Sequence, residues 1–300
     1  MNRILLIALF ALASIGSSIQ AQQKADFGTL DTYHNFKSKH FHSRDINVWL
    51  PEDYTPTRKY AVLYMHDGQM LFDKTTSWNK QSWNVDSVAA ALQNEQKTRP
   101  FIVVGIDNHP QGRLFDYMPR KALNYIPEGD TLLAKYNLDE FIADKYLMFL
   151  VHELKPFIDK KYSTLTDASN TFVMGSSMGG LISLYAICEY PEVFGGAGCI
   201  STHSPMVLNG SKEEAPIWAK ALRDYLTDNL PETNSRLIYM DIGDKTIDEF
   251  YIPFQPLIDS IFSDKGWNST HYESQFFPGH VHDEDSWEKR LHIPLLFLLK

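Results

Sequence analysis

The sequence predicts an α/β fold, one domain with a mostly parallel central sheet covered by helices on both faces. Three observations predict it. Short apolar runs rich in β-formers alternate with longer segments of helical spacing along the chain, the pattern of parallel strands joined by helical crossovers. At 300 residues, 44% hydrophobic and 13% aromatic, the chain can bury one sizeable sheet. No internal repeat, low-complexity tract or charge run marks a second domain.

Taken in order, residues 33–42 and 45–50 read as an antiparallel edge hairpin. Strands follow near 60–66, 101–106, 170–175, 195–200, 236–242 and 271–277. Helices are expected near 82–93, 139–158, 178–190, 216–229, 248–264 and 284–299. Pro156 falls inside the second of these, where its missing N–H should kink or interrupt the helix.

Ahead of the fold, Asn2 and Arg3 precede an apolar run, Ile4 to Ala13, with small residues through Ser18. This reads as a signal peptide over residues 1–21, cleaved after Ala21, leaving 22–300 as the domain. The run is too short to span a bilayer, and no cysteine stands at the cleavage region, so no stable membrane anchor is expected. The mature chain is expected to be periplasmic or secreted. A formal charge of −9 leaves no basic footprint for nucleic acid. Cys188 and Cys199 fall in a predicted helix and strand and read as buried thiols.

The densest signal is Gly175-Ser176-Ser177-Met178-Gly179, a G-x-S-x-G pentapeptide. A short β-rich run, Asn170 to Met174, precedes it. Leu181, Leu184, Tyr185 and Cys188 follow at helical spacing. Strand, sharp turn and helix are the context of a nucleophile elbow, which lifts a serine hydroxyl above the strand ends. Such an elbow needs a histidine and an acid further along the chain. His280 and His282 both lie on the loop after the last predicted strand, where a neutral imidazole can take the serine proton and return it to the leaving group. The acid should follow the strand ending at Gly243, where Asp244, Asp248 and Glu249 compete. Asp248, at the far end of the turn, can swing back under the histidine loop and leads; Asp244 is the alternative. Either could instead cap the next helix. An oxyanion hole would take one backbone amide from Met178, after the nucleophile, and one from the loop His66-Asp67-Gly68-Gln69, where Gln69 is the candidate.

Four segments together resemble the putative esterase family: His66 to Asp73 (HDGQMLFD), Ile102 to Asn108 (IVVGIDN), Leu154 to Tyr162 (LKPFIDKKY) and Gly175 to Leu181 (GSSMGGL). The resemblance runs from about residue 40 to the C-terminus. That family groups esterase D, feruloyl esterases, enterochelin-type siderophore esterases and mycolyltransferases. It implies an α/β-hydrolase fold, no metal, and Ser177 with His282 as the matched pair, because the family's histidine precedes a tryptophan by about five residues, as His282 precedes Trp287. Lys245 and Thr246 occupy positions where the family commonly carries its acid, so Asp248 and Asp244 both stay open. No cofactor is expected.

The substrate side should come from two long connections, 107–138 and 201–216, at strand carboxyl ends. Arg113 in the first, His203 in the second, and Trp78 beyond the oxyanion loop are the substrate-binding candidates. Arg113, Arg120 and Lys121 are the one cation cluster that could meet an anionic catecholate, and the acidic chain disfavours such a ligand. The aromatic residues suit a hydroxycinnamoyl group or a sugar face. The expected activity is therefore an exported serine carboxylic-ester hydrolase with a Ser177-His282-Asp248 triad. Its expected partner is a small-molecule or oligosaccharide ester, acetylated or feruloylated. A siderophore trilactone esterase, or an acyltransferase with the same triad, is the alternative. A catalytically dead binding protein would be expected to lose Ser177 or the histidine loop, and both are present.

Overall fold

A computed structural model describes residues 23–109, 111–128, 130–208, 211–233 and 236–300. The expected signal peptide, residues 1–21, lies outside them. Among the described residues, eight strands form one sheet in the order β1-β2-β4-β3-β5-β6-β7-β8. They are β1 (Thr29–Phe36), β2 (Arg44–Leu50), β3 (Ala61–His66), β4 (Phe101–Ile106), β5 (Thr171–Ser176), β6 (Gly196–Ile200), β7 (Leu237–Gly243) and β8 (Tyr272–Phe277). β1 pairs antiparallel with β2, and β2 with β4; every later pairing is parallel. This is the α/β-hydrolase fold, with an antiparallel edge on a parallel sheet. β3, β4 and β5 are buried from end to end, which is why they read as continuous apolar runs.

Among the described residues, ten α-helices cover the sheet: α1 (Val85–Asn94), α2 (Arg113–Tyr117), α3 (Ala143–Phe149), α4 (Lys155–Lys161), α5 (Met178–Glu189), α6 (Ala215–Asn229), α7 (Ile247–Tyr251), α8 (Gln255–Asp264), α9 (Glu284–Arg290) and α10 (His292–Leu299). Residues from α3, α4, α5, α6 and α8 pack into one core with the sheet, among them Leu147, Ile158, Leu181, Trp218 and Phe262. Residues from α1, α9 and α10 build the other, around Trp49, Ala89, Trp287 and Leu295. α5 is buried from Met178 to Cys188 because it lies under its neighbours on every side.

Prolines account for where the helices differ from expectation. The long helix expected over 139–158 is interrupted as Pro156 predicts, by a π-helical turn at Leu150–Leu154 between α3 and α4. The single helix expected over 248–264 is two, because Pro253 and Pro256 stand in its middle and Pro256 opens α8. The closing segment also divides, at Leu291, with Pro294 in the first turn of α10. Cys188 and Cys199 are free, buried thiols. No helix among the described residues is long and apolar enough to cross a membrane.

The sheet order reverses between β3 and β5, with β4 on one side of β3 and β5 on the other. Loops leaving those two strand ends diverge and leave a crevice, where open α/β sheets hold their ligands.

Candidate active site

β5 ends at Ser176, and the chain turns at once into α5 through Ser177, held at φ 57° and ψ −119°. Those angles are nearly forbidden to a side chain and persist only where the surroundings enforce them. Here the Ser177 N–H donates to the Ile200 carbonyl at 2.9 Å, and the Ser177 carbonyl accepts from His203 N–H at 3.1 Å. Gly175 makes the turn sterically possible, since a Cβ there would sit 2.9 Å from the Gly179 backbone. Ser177 faces a cavity of about 450 Å³.

His282 lines the same cavity. Its Nδ1 pairs with Asp248 Oδ1 at 2.6 Å, and the two side chains are 8% and 0% exposed. Two rings hold the imidazole edge-on, Trp287 at 5.0 Å and Tyr251 at 5.7 Å between centroids. The His282 backbone N–H donates to Thr246 Oγ1 at 3.0 Å, which ties the histidine loop to the loop after β7. Asp248 Oδ2 accepts from the Gly243 N–H and the Ser201 hydroxyl, each at 2.7 Å. Burial pushes the Asp248 carboxyl up, but the His282 pairing and these donors outweigh it and leave it below its ordinary value.

Asp244 and His280, the alternatives left open by the sequence, are placed elsewhere. Asp244 Oδ1 accepts from Gly279 N–H at 2.7 Å, and the His280 carbonyl accepts from the Asp244 and Lys245 amides at 3.2 and 3.1 Å. His280 Nδ1 meets Arg290 Nη1 at 3.1 Å. Both residues brace the histidine loop from outside the cavity.

The candidate oxyanion amides lie on two turns that border the cavity. Met178 is the first residue of α5, and the first amides of a helix have no intrahelical acceptor. Gln69 is the middle of a 3₁₀ turn, Gly68–Met70, between cavity-lining Asp67 and Met70. Gly68 is required there because a Cβ would lie 2.7 Å from the β4 backbone at Gly105 and Ile106.

Of the substrate-binding candidates, Trp78 stands on the cavity wall, 80% exposed. Arg113 lines the cavity too, but its Nε and Nη2 each bond Asp67 at 2.7 Å, so its charge is already paired. His203 is a correction: it does not line the cavity. Its Nε2–H donates to the Val207 carbonyl at 2.9 Å and its Nδ1 takes the Tyr251 hydroxyl at 2.6 Å. Both nitrogens are therefore spent behind Tyr251, and burial lowers the imidazole to about 4, with His282 and Arg113 adding to the effect against the Val207 bond. Ser201, Tyr251, Ile247, Asn79, Asp283 and Glu284 also stand at the site, without a sequence motif to mark them. Ser201, at the end of β6, had one usable signal, its place beside the strand end next to the elbow.

The sequence matches the family model described as putative esterase over residues 39–293. The chain belongs to that family. It is 26% identical over 160 residues to the uncharacterised protein YbbA of Bacillus subtilis (strain 168), across 53% of this chain and 56% of that one. It is 29% identical over 179 residues to an endo-1,4-beta-xylanase/feruloyl esterase of Xylanibacter ruminicola, across 55% of this chain and 21% of that protein. The matches thus span little more than half of the first relative and about a fifth of the second. In structure it resembles a ferulic acid esterase, with TM-score 0.65 at 18% identity, covering 91% of this chain and 99% of that one. It also resembles the enterobactin esterase of Shigella flexneri, with TM-score 0.65 at 19% identity, covering 92% and 60%. At such identities these likenesses speak for the fold.

One buried histidine beside the site makes a prediction about acid stability. His66 ends β3 at 1% exposure, its Nδ1 paired with the Tyr146 hydroxyl at 2.7 Å. Burial holds its imidazole down at about 3, Asp67 pulling it up and Arg113 and Arg44 pushing it down. The unfolded chain then binds a proton below about pH 6.5 that the folded chain refuses, so stability falls as pH drops from there toward 3. Near pH 4.5 the cost is on the order of 2–3 kcal/mol. His66→Gln should lose less unfolding free energy between about pH 7 and pH 4.5 than the wild type, measured by urea denaturation. Identical losses would refute the assignment.

Proposed function

We propose that the chain is a serine esterase in which Ser177 is the nucleophile, His282 the general base and Asp248 the acid that orients it. The observation that supports this most is the 2.6 Å His282–Asp248 pair beside the cavity that Ser177 lines at strained angles. Donating Nδ1–H to Asp248 leaves His282 Nε2 as the acceptor, able to remove the Ser177 proton. Ser177 Oγ then bonds to the ester carbonyl carbon, and the oxygen takes up negative charge against the amides of Gln69 and Met178. Collapse breaks the bond to the alcohol oxygen, which leaves with the proton from His282. Water, deprotonated by the same imidazole, attacks the acyl-serine and frees the acid and the serine.

The cavity's chemistry favours an uncharged ester. Arg113 is the one Lys or Arg among its described lining residues, and Asp67 neutralises it. Asp283 and Glu284 add carboxylates, while Trp78, Trp83, Trp287 and Ile247 add apolar wall. A polyanionic catecholate trilactone finds no free cation among these residues. A sugar face or a planar hydroxycinnamoyl ring finds aromatic surface there. The substrate in this reading is an acetylated or feruloylated carbohydrate, in keeping with the xylanase/feruloyl esterase relative. Export belongs to the same reading, on the strength of the apolar run from Ile4 to Ala13.

The roles predict a pattern of losses. Ser177→Ala and His282→Ala should each lower kcat on p-nitrophenyl acetate by roughly a thousandfold or more, and the double variant by little more, because the pair acts as a unit. Asp248→Asn should approach the same loss. Asp244→Asn and His280→Ala should stay within about tenfold of wild type, as bracing contacts would. Wild-type turnover by folded Ser177→Ala, or a larger loss at Asp244 than at Asp248, would end this assignment.

Substrate class is tested on protein recovered from outside the producing cytoplasm, with its first residue read as Gln22. Methyl ferulate or acetylated xylo-oligosaccharide should give a higher kcat/KM than enterobactin. Preference for the trilactone would replace the carbohydrate reading with the siderophore one, and retention in the cytoplasm with residues 1–21 intact would remove export.

A further inference from the structure

Asp67 is the first residue of the turn that carries Gln69, and it sits in the left-handed region at φ 59°, which side chains other than glycine rarely adopt. Its carboxylate is held by three hydrogen bonds from two side chains. Arg113 Nε donates to Oδ1 and Nη2 to Oδ2, both at 2.7 Å, and Asn108 Nδ2 donates to Oδ1 at 2.5 Å. The Asn108 backbone N–H reaches past it to Gln69 Oε1 at 3.0 Å. Arg113 Nη2 also donates to the carbonyl of Ser176 at 3.3 Å, the residue before the nucleophile. One guanidinium thus joins the turn after β3 to the end of β5, the two strand ends that must present their amides to one oxygen atom.

We infer that Arg113 is a positioning residue for the oxyanion hole, fixing the Gln69 turn to the nucleophile strand through Asp67, and not a receptor for a substrate anion. The inference rests on the proposed roles of Ser177, Gln69 and Met178. Its physical basis is the narrow tolerance of an oxyanion site. Donors must stand about 2.7–3.1 Å from where the charged oxygen will form, and a displacement of about 1 Å can cost a hundredfold in rate. An αL aspartate at the head of a 3₁₀ turn relaxes unless something holds it. A planar guanidinium can satisfy both carboxylate oxygens and the Ser176 carbonyl together; an ammonium cannot. Burial pushes Asp67 up, but Arg113 and Asn108 outweigh it and keep it ionised, so the clamp is charged on both sides at neutral pH. The ion pair also explains why a cation on the cavity wall leaves no anion site.

The experiment is steady-state and pre-steady-state kinetics of Arg113→Lys and Asp67→Asn, with a boronic-acid transition-state analogue as a second readout. Each variant should lower kcat by about 10- to 100-fold with KM within about twofold of wild type. Affinity for the boronate, which places an oxygen in the oxyanion site, should fall by a similar factor. The double variant should lose little more than either single one, because both break one clamp. A kcat within twofold of wild type in Arg113→Lys overturns the inference, as does a loss confined to KM or a boronate affinity that does not follow kcat. If both variants fail to fold, the pair is structural and the inference also falls. The wild-type acyl-enzyme burst separates the two layers: no burst sinks the serine-esterase reading, whereas a normal burst with unaltered variants sinks only the clamp.

Discussion

The Asp248 carboxylate is buried beneath the cavity floor, and the surrounding structure is arranged to keep it charged there. A buried carboxylate without partners costs several kcal/mol. This one accepts from Gly243 N–H, the Ser201 hydroxyl and His282, so each partner comes from a different segment. Ser201 extends the network, because its oxygen also takes the Trp287 Nε1–H at 3.1 Å and Arg290 Nη2–H at 2.8 Å. Arg290 in turn pairs with Asp241 on β7 at 2.9 Å. The ends of β6 and β7, the histidine loop and α9 are therefore tied through one hydroxyl. Removing any member leaves a buried polar group unsatisfied, which is why such networks hold geometry more firmly than their individual bonds suggest.

A second polar network stands on the other side of Ser177. Asp67, Arg113 and Asn108 bind the turn after β3 to the end of β5. The nucleophile candidate lies between the two, on the strand next to the reversal of strand order. Parallel strands bring their carboxyl ends to one edge, and the reversal opens a crevice there. The fold thus delivers residues more than a hundred positions apart, Asp67, Ser177 and His282, to one cavity. Asp67 and Ser177 are themselves strained, as are Ser201 and Thr246, which hydrogen-bond to Asp248 and to the His282 amide: all four have positive φ. The networks supply what holds those angles.

Much of this was legible in the sequence, for reasons that differ by residue. Ser177 announces itself through a local pattern whose meaning depends on a few adjacent residues. His282 could be separated from His280 only through Trp287, and the structure gives that spacing a physical sense: the indole lies edge-on to the imidazole and donates to Ser201. The strands were visible because buried parallel strands are continuous apolar runs. Partnerships across the fold were not. Arg113 reads as a free cation until Asp67, 46 positions earlier, is seen beside it. His203 reads as a cleft residue until the Val207 carbonyl and Tyr251 hydroxyl are found on its two nitrogens. Ser201 is an ordinary serine in the sequence and a junction in the fold. The split of the helix expected over 248–264 was legible too, in Pro253 and Pro256.

In the proposed mechanism the buried Asp248–His282 pair makes Ser177 a nucleophile. Covalent labelling tests it most directly, because it reads the serine's reactivity without a substrate. The folded protein is treated with a fluorophosphonate and digested, and the adduct is located by mass spectrometry. One adduct is expected, on Ser177, forming roughly a thousandfold more slowly in Asp248→Asn. An adduct elsewhere, an unlabelled Ser177, or a rate untouched by Asp248→Asn would contradict it.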